Sequence, residues 1–133
     1  MKAFHIEIVT PDGLEYSGEV ESLLVRADDG DVEILAGHTD FLAALGTGRV
    51  RIFQGGKKRF ASVSGGFLSV QGGKTRLCAI TFEFADQIDL KRAEAAKEKA
   101  EALLKNAKSG QEIDVARAKL LRAASRINVA KMK

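Results

Sequence analysis

Apolar and polar residues alternate with a period of two in FHIEI at 4–8 and in RVRIF at 49–53, the pattern of half-buried strands. Turn signals fall between such stretches: PDG at 11–13, DDGD at 28–31, AGHTD at 36–40, GTG at 46–48, and Gly-Gly pairs starting at 55, 65 and 72. Short strands broken by turns every ~8 to 12 residues predict an antiparallel β-sandwich or barrel. Gly55-Gly56 and Gly72-Gly73 each separate two apolar runs and predict hairpins, because a tight hairpin turn needs positive φ that glycine adopts without steric cost. Pro11 belongs to the first turn. In RLCAITFEF the alternation assigns Cys78, Ile80, Phe82 and Phe84 to one buried face, with Cys78 as a small core residue.

From about residue 88 the pattern changes to the spacing of helices. QIDLKRAEAAKEK at 87–99 is echoed by EIDVARAKLLRAA at 112–124. Asp89 and Asp114 are the candidate N-caps of two antiparallel helices, and the run from Lys105 to Gly110 reads as a basic last turn with a glycine stop. Residues 89–133 hold eleven alanines against ten larger apolar residues. The helices are intrinsically favourable, while docking one on the other buries little: a buried methyl contributes only about 0.8 kcal/mol.

Composition sharpens this division. Twelve of 13 glycines and all seven phenylalanines precede residue 89. Residues 1–88 carry 9 Lys+Arg against 12 Asp+Glu, net −3, and residues 89–133 carry 12 against 6, net +6, which together restore the chain's +3. At 133 residues and 45% hydrophobic, the chain can bury a core in one domain or two small ones. No stretch reads as a secretory signal or a membrane span, and the single Cys78 excludes an internal disulfide. His5 and His38 are too far apart to suggest a metal site, so none is predicted. No nucleophile elbow, phosphate loop, dinucleotide fingerprint or paired catalytic carboxylates occur, and no catalytic residue is predicted.

The second helix is the more informative segment. After Asp114 it has no acidic residue, while Arg117, Lys119, Arg122, Arg126, Lys131 and Lys133 follow. Arg122 and Arg126 share a helix face, as do Arg92 and Lys99 on the first helix. If these faces meet, guanidinium and ammonium groups converge on a polyphosphate, with arginine supplying planar, bidentate contacts. A solvated basic face is the plain alternative. A basic adapter for nucleic acid or an acidic protein is another, although no aromatic residues are interleaved for base stacking.

In the order and spacing of IEIVTPDG, GDVEILAGHTDFLAAL, SGGFLSV and the helical hairpin, the chain resembles the epsilon subunit of bacterial F-type ATP synthases over essentially its whole length. It departs from the family's G-I-L-P-G-H pattern in having Glu33 and Ala36. The resemblance implies a sandwich of about ten strands over residues 1–86 and a regulatory helical hairpin over 87–133. It implies a noncatalytic rotor subunit on the cytoplasmic face of the cell membrane, peripheral and without nucleic acid or direct membrane insertion. Its sandwich would bind the gamma subunit and rest on the c-ring, with Asp31 and His38 as interface candidates. Its basic second helix would meet an acidic loop of the catalytic beta subunits when the helices extend to inhibit hydrolysis. In bacillus-like members ATP, with or without Mg²⁺, stabilises the folded hairpin through an Ile/Leu-Asp-x-x-Arg-Ala motif, matched here by Ile88, Asp89, Arg92 and Ala93. Glu83, Arg122 and Arg126 fall on further matching positions. The roles implied are phosphate binding by Arg92, Arg122 and Arg126, packing near the base or sugar by Ile88 and Ala93, and acceptance from adenine or ribose, or orientation of an arginine, by Asp89 and Glu83.

Overall fold

The computed structural model describes residues 2–132, so Lys133 of the basic run lies outside the described residues. Eight strands precede two helices: β1 (Phe4–Thr10), β2 (Gly13–Val20), β3 (Ser22–Ala27), β4 (Gly30–Ile34), β5 (Phe41–Ala44), β6 (Gly48–Gln54), β7 (Lys57–Gln71), β8 (Lys74–Phe84), α1 (Leu90–Lys105) and α2 (Gly110–Ala130). The strands join in the order β2-β1-β8-β7-β6-β3-β4, with β5 also on β7. All pairs are antiparallel except β1 with β8, where Ile6 to Val9 run alongside Thr75 to Cys78. The hairpins at Gly55-Gly56 and Gly72-Gly73 form, each glycine at positive φ.

The family number of about ten strands and the observed eight are reconciled by β7 and β8. On one side β7 pairs with β6 through residues 57–63 and with β5 through residues 67–70, changing neighbour at Gly65-Gly66. The early part of β7 lies in the layer of β6, β3 and β4, and the later part in the layer of β5, β8, β1 and β2. One strand therefore serves two layers, and β8 follows it in register. Gly66 (φ 112) makes the bend possible, since a β-carbon there would overlap the Cys78 carbonyl oxygen.

The bend also reverses which face points inward. Ala61, Val63, Phe82 and Phe84 are buried on one side of it, and Leu68, Val70, Leu77 and Ala79 on the other. The expected single face of Cys78, Ile80, Phe82 and Phe84 is thus corrected: the phenylalanines are in the core, Ile80 is 64% exposed and Cys78 is only half-buried. The two layers close on one apolar core that includes Ile6, Ile8, Leu23, Ile34, Ile52, Leu68 and Leu77, with Tyr16 edge-on to Phe84 across it.

A short 3-10 turn, Ala85–Gln87, leads out of β8, and the Gln87 side chain accepts the Phe84 amide proton at 3.1 Å. Asp89 caps α1 as expected, accepting from the Arg92 amide at 3.2 Å. The second cap is corrected from Asp114 to Ser109, whose hydroxyl accepts from the Glu112 amide at 3.1 Å. Ser109-Gly-Gln-Glu112 has the spacing of a capping box, and Glu112 accepts from the Lys108 amide, so the helix begins before Asp114 is reached. Gly110 is accordingly the first residue of α2, and α1 stops earlier, at Lys105.

The helices meet along alanines spaced by seven: Ala93 and Ala100 on α1, and Ala116, Ala123 and Ala130 on α2, each at most 6% exposed. A heptad of small residues lets two helices approach closely while burying little apolar area. Ala85, Ile88, Ala93, Val129 and Ala130, flanked by Phe60, Leu90 and Ile127, form a second apolar cluster joining the hairpin to the sandwich.

Candidate functional site

The alanine contact leaves a cleft of about 250 Å³ between α1 and α2. Ala96, Ala100 and Ala123 line its apolar part, and Lys99, Lys119, Arg122 and Arg126 supply its charge. No acidic side chain is among its described lining residues. Four cations held by two helices around a narrow concavity suit a ligand with several negative charges, because a low-dielectric wall strengthens each attraction. The cleft shares Leu103 and Lys119 with a wider concavity of about 450 Å³ at the helix bend, where Val115 and Ala116 also lie.

Arg122 and Arg126, four residues apart on α2, are both brought into the cleft. Glu83 joins them indirectly: Arg126 donates to it from Nε at 2.7 Å and from Nη2 at 3.3 Å. This pair ties α2 to β8 and is partly buried, with side-chain exposures of 22% for Arg126 and 35% for Glu83. Beside it, the hydroxyls of Ser62 and Ser125 are hydrogen-bonded at 2.8 Å. The other motif residues are placed elsewhere. Ile88 and Ala93 are buried in the cluster beneath the hairpin, 4% and 0% exposed. Asp89 caps α1, and Arg92 is exposed in the first turn of that helix, outside the cleft lining.

Lys119 was not a predicted site residue, and Lys99 entered only as a convergent charge. The signal for Lys119 was its place three and seven residues before Arg122 and Arg126, the spacing of one helix stripe.

On the sandwich, Asp31 is exposed at the start of β4 and accepts from Arg26 Nη1 across the β3-β4 hairpin at 3.3 Å. His38 donates from Nδ1 to the Thr39 carbonyl at 2.7 Å and stands edge-on to Phe41. Glu33 accepts from Arg51 Nη2 at 2.8 Å, the two reaching over Leu24, which lies between them in register. Glu33 therefore contributes a cross-strand ion pair. A similar pair joins neighbouring β1 and β8, where Arg76 donates to Glu7 at 2.9 Å. That hydrogen bond, then the charge behind it, holds the Glu7 carboxyl below its ordinary range and raises the Arg76 guanidinium.

One constellation has the residue types of a hydrolytic relay. Ser17 Oγ is 3.1 Å from His5 Nε2, and His5 Nδ1 is 3.8 Å from Glu19. His5 and Glu19 are 53% and 64% exposed on the open sheet surface, where water is not excluded and the separation to Glu19 is too long for a hydrogen bond. These are cross-strand polar neighbours. Among the described residues no group of three or more His, Cys, Asp or Glu side chains is arranged to hold a metal ion, and no helix is long and apolar enough to cross a membrane.

Residues 3–85 match the family model described as ATP synthase, Delta/Epsilon chain, beta-sandwich domain, and residues 86–131 match the long alpha-helix domain of the same chain. The ATP synthase epsilon chain of Bacillus pumilus is 42% identical over 132 residues, covering 98% of each chain. That of Bacillus cytotoxicus is 40% identical over 133 residues, covering 100% of each. Among solved structures, a chain of the Euglena gracilis mitochondrial ATP synthase superposes with a TM-score of 0.82 at 21% identity, over 98% of this chain and 82% of that one, a likeness of fold.

Proposed function

The chain belongs to the ATP synthase epsilon-chain family, and from that premise we propose that it is a central-stalk rotor subunit whose folded helical hairpin holds ATP as a regulatory ligand. Its class is structural and regulatory rather than catalytic. The observation that carries the ATP reading is the interhelical cleft, lined by Lys99, Lys119, Arg122 and Arg126 with no acidic neighbour among its described lining residues. Phosphates placed there would bridge α1 and α2. A ligand that binds only the folded hairpin stabilises it in proportion to the logarithm of its concentration over Kd.

The thin alanine contact supports a regulatory part for the helices. A switch needs two arrangements separated by a few kcal/mol, and a large apolar interface between α1 and α2 would hold one of them permanently. In this reading the extended helices inhibit hydrolysis and the basic face of α2 meets an acidic loop on the catalytic beta subunits. The sandwich would bind gamma and the c-ring, with Asp31 and His38 at the interface, on the cytoplasmic face of the membrane. No glycine-rich loop wraps the phosphates, so ATP would be released intact, with or without Mg²⁺.

Calorimetry with ATP on the full chain tests this directly. The wild type should bind, and Arg122→Ala should weaken binding about tenfold or more, the usual scale for losing a charged hydrogen bond. Asp89→Asn should keep both helix content and binding if Asp89 acts only as a cap, since asparagine caps equally well. Absence of heat with the wild type at millimolar ATP would sink the ATP reading and leave the family assignment intact.

A further inference from the structure

Among the described residues, the side-chain hydrogen bonds of the hairpin to the sandwich converge on two consecutive residues of α2. Ser125 meets Ser62, and Arg126 meets Glu83. Ser62 and Glu83 are themselves direct cross-strand partners on β7 and β8. Both contacts are part-buried, so water competes weakly for them. Ser125 lines a neighbouring groove with Thr47, Gly48 and Arg49 and is not part of the cationic cleft, whereas Arg126 lines the cleft itself. One turn of helix thus carries both docking contacts, and one of them, Arg126, also faces the cleft.

Arg126 is shared. Its Nε and Nη2 donate to Glu83, and a guanidinium has further N–H donors in the same rigid plane. While α2 is docked, Glu83 fixes the orientation of that plane. When α2 lifts from β7 and β8, the carboxylate is left behind and the arginine regains its rotamers, a loss any ligand must then make good. Affinity for an anion in the cleft and docking of α2 on the sandwich therefore reinforce each other, and linkage makes the effect reciprocal.

We propose that ligand occupancy is read at the docking of α2 on the sandwich, through a two-point latch made by Ser62–Ser125 and Glu83–Arg126. This rests on the reading of the cleft as an ATP site. Ser62, Ser125 and Glu83 are positioning residues in it, since they act on the ligand only through the placement of Arg126. Without ligand the latch leaves docked and lifted forms both populated, and ATP shifts the balance toward the docked form.

The test is titration of the full chain with ATP. Ser125→Ala and Ser62→Ala should each weaken binding about fivefold, the worth of one neutral hydrogen bond, although neither residue lines the cleft. The double substitution should weaken it no further than either single one, because both remove the same contact. A second arm replaces both serines by cysteine in a Cys78→Ser background and compares the oxidised and reduced forms, with helix content matched by circular dichroism. The oxidised form, with α2 fastened to β7, should bind ATP at least about fivefold more tightly than the reduced form. Equal affinities, with the disulfide confirmed by loss of free thiol, would overturn the latch while leaving the ATP reading standing. No binding by the wild type would overturn the ATP reading and the latch with it.

Discussion

Gly66 packs its α-carbon against the carbonyl of Cys78, leaving no room for a side chain where β7 and β8 bend together from one layer into the other. Gly66→Ala places a methyl against backbone and forces an alanine to φ 112, so we expect a loss of about 3 kcal/mol or more in urea unfolding. Gly72→Ala is the control. Its φ is also positive at 56, but nothing lies within 4 Å of the added β-carbon, so the cost should be about 1 to 2 kcal/mol.

Acid should release the Glu7–Arg76 pair. The Glu7 carboxyl is held below its ordinary value of 4.5 by its hydrogen bond to Arg76, so the pair's contribution is fully present above that value and is lost as pH falls through the lower folded-state value. Both side chains are exposed, so the effect is small. The melting-temperature difference between wild type and Glu7→Gln should stay constant from pH 7 down to the ordinary carboxylate range and shrink only below it. A difference that disappears well above pH 4.5 would contradict this assignment.

The two serine and aspartate positions at the start of α2 should behave unequally. Ser109→Ala removes the cap and should cost about 1 kcal/mol of helix stability, whereas Asp114→Ala, an exposed change inside the helix, should stay within about 0.5 kcal/mol. Amide exchange at the first turn of α2 distinguishes them.

Ile88 is the largest buried residue of the cluster that joins sandwich and hairpin, 4% exposed beside Ala93, Val129 and Ala130. Ile88→Ala should weaken docking by about 2 kcal/mol or more. Limited proteolysis should then cut the helices faster at a temperature where the exchange of β7 and β8 amides is unchanged, because the sandwich has its own core.

Local chemistry was readable in the sequence wherever it was self-contained. The Gly55-Gly56 and Gly72-Gly73 hairpins follow from backbone sterics, and the shared face of Arg122 and Arg126 follows from helical spacing. Most of what escaped depends on neighbours that are distant in the chain, and one local choice, the cap of α2, escaped as well. The exposed Ile80 contradicts simple alternation because β7 exchanges β6 for β5 at Gly65-Gly66, and no periodicity within RLCAITFEF records that exchange. Asp114 lost the cap to Ser109 because two good cap residues competed and the first turn closed on Ser109, with the Glu112 carboxylate accepting from the Lys108 amide just before it. The direct bond from Arg126 to Glu83 spans 43 residues, and Ser125 opposite Ser62 spans 63, so both belong to the docked arrangement rather than to any local signal.

The seven-residue spacing of Ala93 and Ala100 on α1, and of Ala116, Ala123 and Ala130 on α2, has a consequence for the chain when its helices part. A pair sealed by leucines would, on separating, uncover a continuous greasy seam that adheres to unrelated proteins. Parted along methyl groups, these helices show water a surface little stickier than the one they already present, so repeated opening need not invite aggregation.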